Sequence, residues 1–130
     1  MLLKKEDLSE LFKAIFNRDV DRARILLEQG ADPNEKNQNG EPALHFSLIF
    51  EKSYKITELL IEHGANLETP NKHGCTPLMY AVRYSDTPTL RLLIGKGVAL
   101  DTEDKPGGQT ALDWAYTVGD IEAAEILTHA

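Results

Sequence analysis

The sequence holds one cysteine, Cys75, so it cannot form an internal disulfide. That suits a reducing compartment. Long apolar runs are missing too, and nothing approaches the ~20 apolar residues of a membrane-spanning helix. The chain opens Met1-Leu2-Leu3-Lys4-Lys5-Glu6-Asp7, and no apolar stretch follows the lysines. No signal peptide is read there, and a cytoplasmic location is expected. Positive charge is scarce, with 14 Lys and Arg against 21 Asp and Glu, a net charge of −7. Nucleic acids and anionic membranes call for a basic footprint, so neither is expected as a partner. A neutral or basic protein fits better. The imbalance is local. From residue 97 onward Lys105 stands alone against Asp101, Glu103, Asp104, Asp113, Asp120, Glu122 and Glu125, while the rest of the chain is nearly balanced.

Reactive constellations are also lacking. There is no Gly-x-Ser-x-Gly elbow, no paired-histidine zinc helix and no phosphate-binding loop. Lys105-Pro106-Gly107-Gly108-Gln109-Thr110 has neither the spacing nor the Lys-Ser/Thr pair of such a loop. His45, His63, His73 and His129 show no metal-ligand spacing, and a single cysteine cannot complete a zinc site. No catalytic residue, metal or cofactor is expected, and the chain is read as not an enzyme.

What the sequence does contain is a repeat. Gly40, Gly74 and Gly108 lie 34 residues apart, and Gly30, Gly64 and Gly97 follow nearly the same period. The text around them aligns. Gly40-Glu-Pro-Ala-Leu-His45 matches Gly74-Cys-Thr-Pro-Leu-Met79 and Gly108-Gln-Thr-Ala-Leu-Asp113. Leu26-Leu-Glu-Gln-Gly-Ala-Asp32 matches Leu60-Ile-Glu-His-Gly-Ala-Asn66 and Leu93-Ile-Gly-Lys-Gly-Val-Ala99. Each unit reads as two short helices and a turn. Thr76 can accept the free amides that open a helix, and Pro77 suits the first helical position. Ser85-Asp86-Thr87-Pro88 breaks that helix and starts a second, which Gly97 ends. Asn37-Gln38-Asn39-Gly40 and Lys105-Pro106-Gly107-Gly108 are turn sequences between units.

These motifs resemble the ankyrin repeat family. The repeat of that family is 33 residues long and carries Thr-Pro-Leu-His-x-Ala. Gly74-Cys-Thr-Pro-Leu-Met-Tyr-Ala81 is the best local match, and Gly30-Ala-Asp-Pro-Asn34 resembles the inter-repeat turn of the family. The resemblance covers residues 8 to 130. It implies an all-α repeat fold, an α-solenoid of about four stacked helix-turn-helix repeats joined by short β-hairpin turns. The 130 residues are expected to form one domain, with repeats at about 4–37, 38–71, 72–105 and 106–130. Departures stand out. Pro42 replaces the capping threonine, one residue is inserted near Glu51–Tyr54, and the last hairpin is one residue longer.

The expected layers are Leu11, Ala14, Ile15, Leu26 and Leu27, then Leu44, Leu48, Leu59, Leu60 and Ile61. Leu78, Ala81, Val82, Leu92 and Leu93 follow, and Leu112, Ala115, Ile126 and Leu127 come last. Repeats stack because none can bury its apolar face alone, and the end repeats need a polar outer side. Lys4, Lys5, Glu6, Asp21, Arg22 and Arg24 are expected to supply it at the front, and Glu122, Glu125, Thr128 and His129 at the back. The chain is thus expected to be a complete, monomeric domain.

The resemblance also implies a binding surface, the concave side made by hairpin tips and first helices. At the tips it points to Gln38, Asn39, Glu41, Lys72, His73, Cys75 and Lys105. On the helices it points to Phe16, Asn17, Ile49, Phe50, Arg83, Tyr84, Thr117 and Val118. Aromatic and arginine side chains dominate interface energies, and an exposed apolar stripe is costly without a partner. Phe50 has two readings, in the groove or turned into the core by the insertion. Trp114 is either packed between helices or a binding anchor, and Cys75 is an exposed or half-buried small residue. His45 resembles the structural histidine of the family motif. Asp101, Glu103 and Asp104 are expected to steer a basic partner.

Two roles fit. One is an inhibitor that sequesters its partner, as in small stand-alone bacterial ankyrin proteins that act as immunity proteins. The alternative is a non-inhibitory adaptor or scaffold.

Overall fold

A computed structural model of the chain describes residues 8–51, 53–105 and 107–130. The front-end residues Lys4, Lys5 and Glu6 lie outside the described residues. Among the described residues there are eight helices and no strand. They are α1 (Glu10–Phe16), α2 (Val20–Glu28), α3 (Ala43–Ile49), α4 (Tyr54–Glu62), α5 (Pro77–Arg83), α6 (Thr87–Gly95), α7 (Ala111–Val118) and α8 (Ile121–Thr128). None is long and apolar enough to cross a membrane. The expected β-hairpins are tight turns, with one isolated antiparallel bridge between Lys36 and Pro42.

Polar caps set most helix starts. Ser9 accepts the Phe12 amide at 3.3 Å, and Thr76 accepts the Met79 amide at 3.4 Å. Thr110 and Asp113 cap each other, with the Asp113 amide donating to Thr110 at 3.2 Å and the Thr110 amide donating to Asp113 at 3.0 Å. Pro42 starts α3 without a side-chain cap, as its missing hydroxyl implies. Asp19, Asp86 and Asp120 open α2, α6 and α8 by accepting the amide three residues on.

The residue before each of those aspartates is left-handed. Arg18 and Ser85 both have φ +53°, and Gly119 has φ +75°. The aspartate amides then donate to Ala14, Ala81 and Ala115 at 2.8 to 2.9 Å. The inserted residue changes this corner in the second repeat. Phe50 is extended there, with φ −99° and ψ 135°, and Ser53 caps no amide. Ser53 Oγ instead donates to the Phe50 carbonyl at 2.7 Å and to the Ser47 carbonyl. The buried Ser47 and Thr57 hydroxyls lie 2.9 Å apart beside it.

The second helices α2, α4 and α6 end alike, each at a left-handed glycine. Gly64 (φ +96°) lets the Ala65 amide turn back to the Leu60 carbonyl at 2.9 Å.

Contacts cluster into two units, Met1–Asn66 and Leu67–Ala130. In the first, α1 packs on α2 and α3, and α4 packs on α2 and α3. Its core holds Leu11, Phe12, Ala14, Ile15, Ala23 and Leu27, with Leu44, Phe46, Leu48, Ile56, Leu59 and Leu60. Asn34 bridges the repeats, accepting the Asn66 amide at 2.7 Å and donating to the Gly64 carbonyl at 3.2 Å. In the second unit α5 packs on α6 and α7, and α8 on α6 and α7. Its core holds Leu78, Met79, Tyr80, Ala81, Val82, Leu90 and Leu93, with Ala111, Ala115, Ala123 and Leu127. Leu26, Ile61, Leu92, Leu112 and Ile126, expected in the layers, are only half-buried. Phe12, Phe46, Met79 and Tyr80 take more of the interior.

Candidate protein-interaction surface

The hairpin tips share one device. Asn37 Oδ1 accepts the amides of Asn39 and Glu41 at 2.9 and 3.0 Å. Asn71 Oδ1 accepts those of His73 and Cys75 at the same distances. Asp104 stands at the corresponding place in the third tip, where Oδ1 accepts the Gln109 amide at 2.8 Å. A side-chain oxygen thus closes each turn locally. The tip then presents Gln38 and Asn39, or Lys72 and His73, to solvent, with Glu41 half-buried.

Two expected site residues are corrected by this geometry. Cys75 is buried at 6 % exposure, because pairing with Asn71 through both its amide and its carbonyl turns it inward. It is not part of an exposed tip. Asp104 is buried at 8 % exposure, not an exposed acidic side chain like Asp101 and Glu103. Its second oxygen accepts Trp114 Nε1 at 3.0 Å, so both oxygens are committed. Asp101 and Glu103 are exposed.

Asp104→Ala is expected to cost about 1–3 kcal/mol, the range for removing a buried acceptor from donors left behind. Asp104→Asn keeps the side chain found at Asn37 and Asn71 and should cost less. Urea midpoints of the two variants check the order, and equal losses would mean that the turn does not depend on the acceptor.

Tip and first helix are tied in register. Asn71 Nδ2 donates to the Tyr80 hydroxyl at 2.8 Å, as Asp104 receives Trp114. The third and fourth repeats therefore place an aromatic ring beneath each tip. Gly74 comes so close to Lys105 that a Cβ there would sit 2.9 Å from its amide nitrogen. That amide donates to the His73 carbonyl at 3.0 Å.

In the first unit, the ends of the first helices carry linked phenylalanines. Phe12 meets Phe46 at 5.0 Å, Phe46 meets Phe50 at 5.0 Å, and Phe50 meets Phe16 at 5.7 Å between ring centroids. The chain of rings runs from the fully buried Phe12 to Phe16, which is 41 % exposed. Phe50 meets both expectations halfway. It is half-buried, with the Arg18 guanidinium 5.9 Å from its ring centroid. Ile49 is exposed beside it, and Asn17 is exposed at the end of α1.

In the second unit, Tyr84 is 38 % exposed and rests edge-on against Tyr80 at 5.7 Å. Arg83 lies 5.5 Å from the Tyr84 centroid and 5.7 Å from that of Trp114. Two rings thus hold the guanidinium of an exposed side chain in place. Trp114 is half-buried, anchored by its N–H and capped by Arg83. Thr117 and Val118 are exposed, and the Thr117 hydroxyl accepts Gln109 Nε2 at 3.2 Å. The Arg83–Trp114 pairing had no signal in the repeat text. The Asn37, Asn71, Asp104 series did, at nearly the repeat period.

No group of His, Cys, Asp or Glu side chains among the described residues is arranged to hold a metal. His45 is buried in α3. His63 closes α4, with Nδ1 2.8 Å from the Leu59 carbonyl.

Comparison with known proteins agrees with this architecture. A family model described as ankyrin repeats (3 copies) matches residues 11–104 and 71–130. An ankyrin repeat protein of fowlpox virus (strain NVSL) is 32 % identical over 94 % of this chain and 28 % of its own length. The neurogenic locus notch homolog protein 1 of Xenopus laevis is 29 % identical over 83 % of this chain and 4 % of its own length. The human protein of that name is 30 % identical over 82 % of this chain, again 4 % of its own length. The chain therefore spans less than a third of each of these relatives.

Proposed function

The chain belongs to the ankyrin repeat family, whose repeats are generally protein–protein interaction modules, and we propose that it captures a partner protein on its first helices and hairpin tips and holds that partner inactive. One observation carries this reading. Side chains suited to an interface stand exposed at the same two register positions of each first helix. They are Phe16 and Asn17, Ile49 with the half-buried Phe50, Arg83 and Tyr84, and Thr117 and Val118. Rigid aromatic side chains and a pre-positioned arginine bind at low entropic cost. The acidic surplus from residue 97 onward favours a neutral or basic partner and speeds its approach.

The test is to isolate the partner by affinity capture, purify it and measure its dissociation constant for each variant. Tyr84→Ala should weaken binding by about 1–3 kcal/mol, the scale of an interface anchor. Arg24→Ala on α2, where Arg24 makes an exposed contact to Asp21, should change little. If Arg24→Ala weakens binding and Tyr84→Ala does not, the partner sits on the second-helix side. Neutralising Asp101 and Glu103 should slow association more than it speeds release. The partner's activity at saturation separates inhibitor from adaptor, because an adaptor leaves it unchanged.

A further inference from the structure

The outer side of the last helix pair is less polar than its sequence implies. Glu122, Glu125, Thr128 and His129 are exposed as expected. Beside them stand the two most exposed large apolar side chains among the described residues, Tyr116 at 67 % and Ile121 at 74 %. With Ala115 and Ala124 they line a groove of about 340 Å³, edged by Asp120 and Glu125. No residue of α5 or α6 lines it, so it lies on the side of α7 and α8 turned away from their neighbours in this unit.

Charge narrows what could cover this face. Residues 106–130 contain no lysine or arginine, while Asp120 and Glu125 line the groove. A second copy meeting this face with its own would oppose the same carboxylates. An anionic lipid surface would be repelled. An apolar stripe flanked by cations meets both the floor and the rim.

We propose that this face docks an amphipathic basic helix of a partner protein. The eight residues of α7 and of α8 make each helix about 12 Å long, or roughly two turns. Apolar residues of the incoming helix, spaced one turn apart, would rest on Tyr116 and Ile121. Its flanking lysines and arginines would reach Asp120 and Glu125 at the edge. The lining of this groove shares no residue with the surface proposed above, so either proposal can fail without the other.

The test uses the full chain and a fluorescent lysine-rich helical peptide with leucine at i, i+4 and i+7, followed by anisotropy. Ile121→Ser should weaken binding about tenfold or more, the effect of removing an interface anchor. Its side chain is so exposed that the fold should tolerate the change, and a thermal melt checks this. Glu125→Lys keeps the apolar floor and should also weaken binding, as should added salt. Tyr84→Ala should leave peptide binding unchanged. Three results would overturn the proposal: undiminished binding by Ile121→Ser, equal binding of a glutamate-rich peptide with the same leucines, or self-association of the free chain that Ile121→Ser abolishes.

Discussion

Phe12→Ala is expected to destabilise the protein by about 3–5 kcal/mol, the range for a buried phenylalanine emptied to a cavity. Phe12 has no exposed surface, and its ring meets Phe46 at 5.0 Å. The loss has two parts, the burial free energy of the removed ring and the void left beside Phe46. A natural domain is stable by only about 5–15 kcal/mol, so the change should remove a large fraction of the total. Phe12→Leu keeps much of the volume and should cost clearly less. Urea denaturation of both variants measures this. A loss under about 1 kcal/mol for Phe12→Ala would mean that α1 does not hold the first unit together.

Leu78→Ala should cost about 2–5 kcal/mol. Leu78 is 2 % exposed on α5, the helix that packs on both α6 and α7. Its helix is well capped, with Thr76 accepting the Met79 amide and Pro77 at the first position. Local helix formation is therefore secure, and the loss should come from the cavity alone. The helical far-ultraviolet spectrum should persist at low temperature while the unfolding midpoint falls. Loss of helicity under native conditions would instead place the damage in α5 itself.

The repeat text made the helices and turns legible because each is decided within a few residues. A serine, threonine or aspartate accepts an amide three positions on, and a glycine turns left-handed at the helix end. These interactions need no distant partner: Thr76 caps as read from the sequence, and Ser9, Asp19, Asp86, Thr110 and Asp120 each accept the amide three positions on in the same way. The missing cap at Pro42 could be read in the same way.

Burial was harder to read. The internal first helices α3 and α5 are covered on more than one side, so nearly every side chain of α3 is buried, including His45 and Ser47. No helical periodicity marks an inner face there. Cys75 and Asp104 show the same limit at the tips. Both lie in turn sequence, yet the Asn71 carboxamide draws one inward and Trp114 claims the other.

The period, the caps and the turn glycines thus come from the chain alone, because their energies are local. The fate of Phe50, Cys75, Asp104 and Trp114 came from the packed structure. Phe50, Asp104 and Trp114 depend on Phe16, Trp114 and Arg83, 10 to more than 30 residues away, that only folding brings within reach, whereas Cys75 is turned inward by Asn71 four residues back, a local bond its turn sequence did not announce.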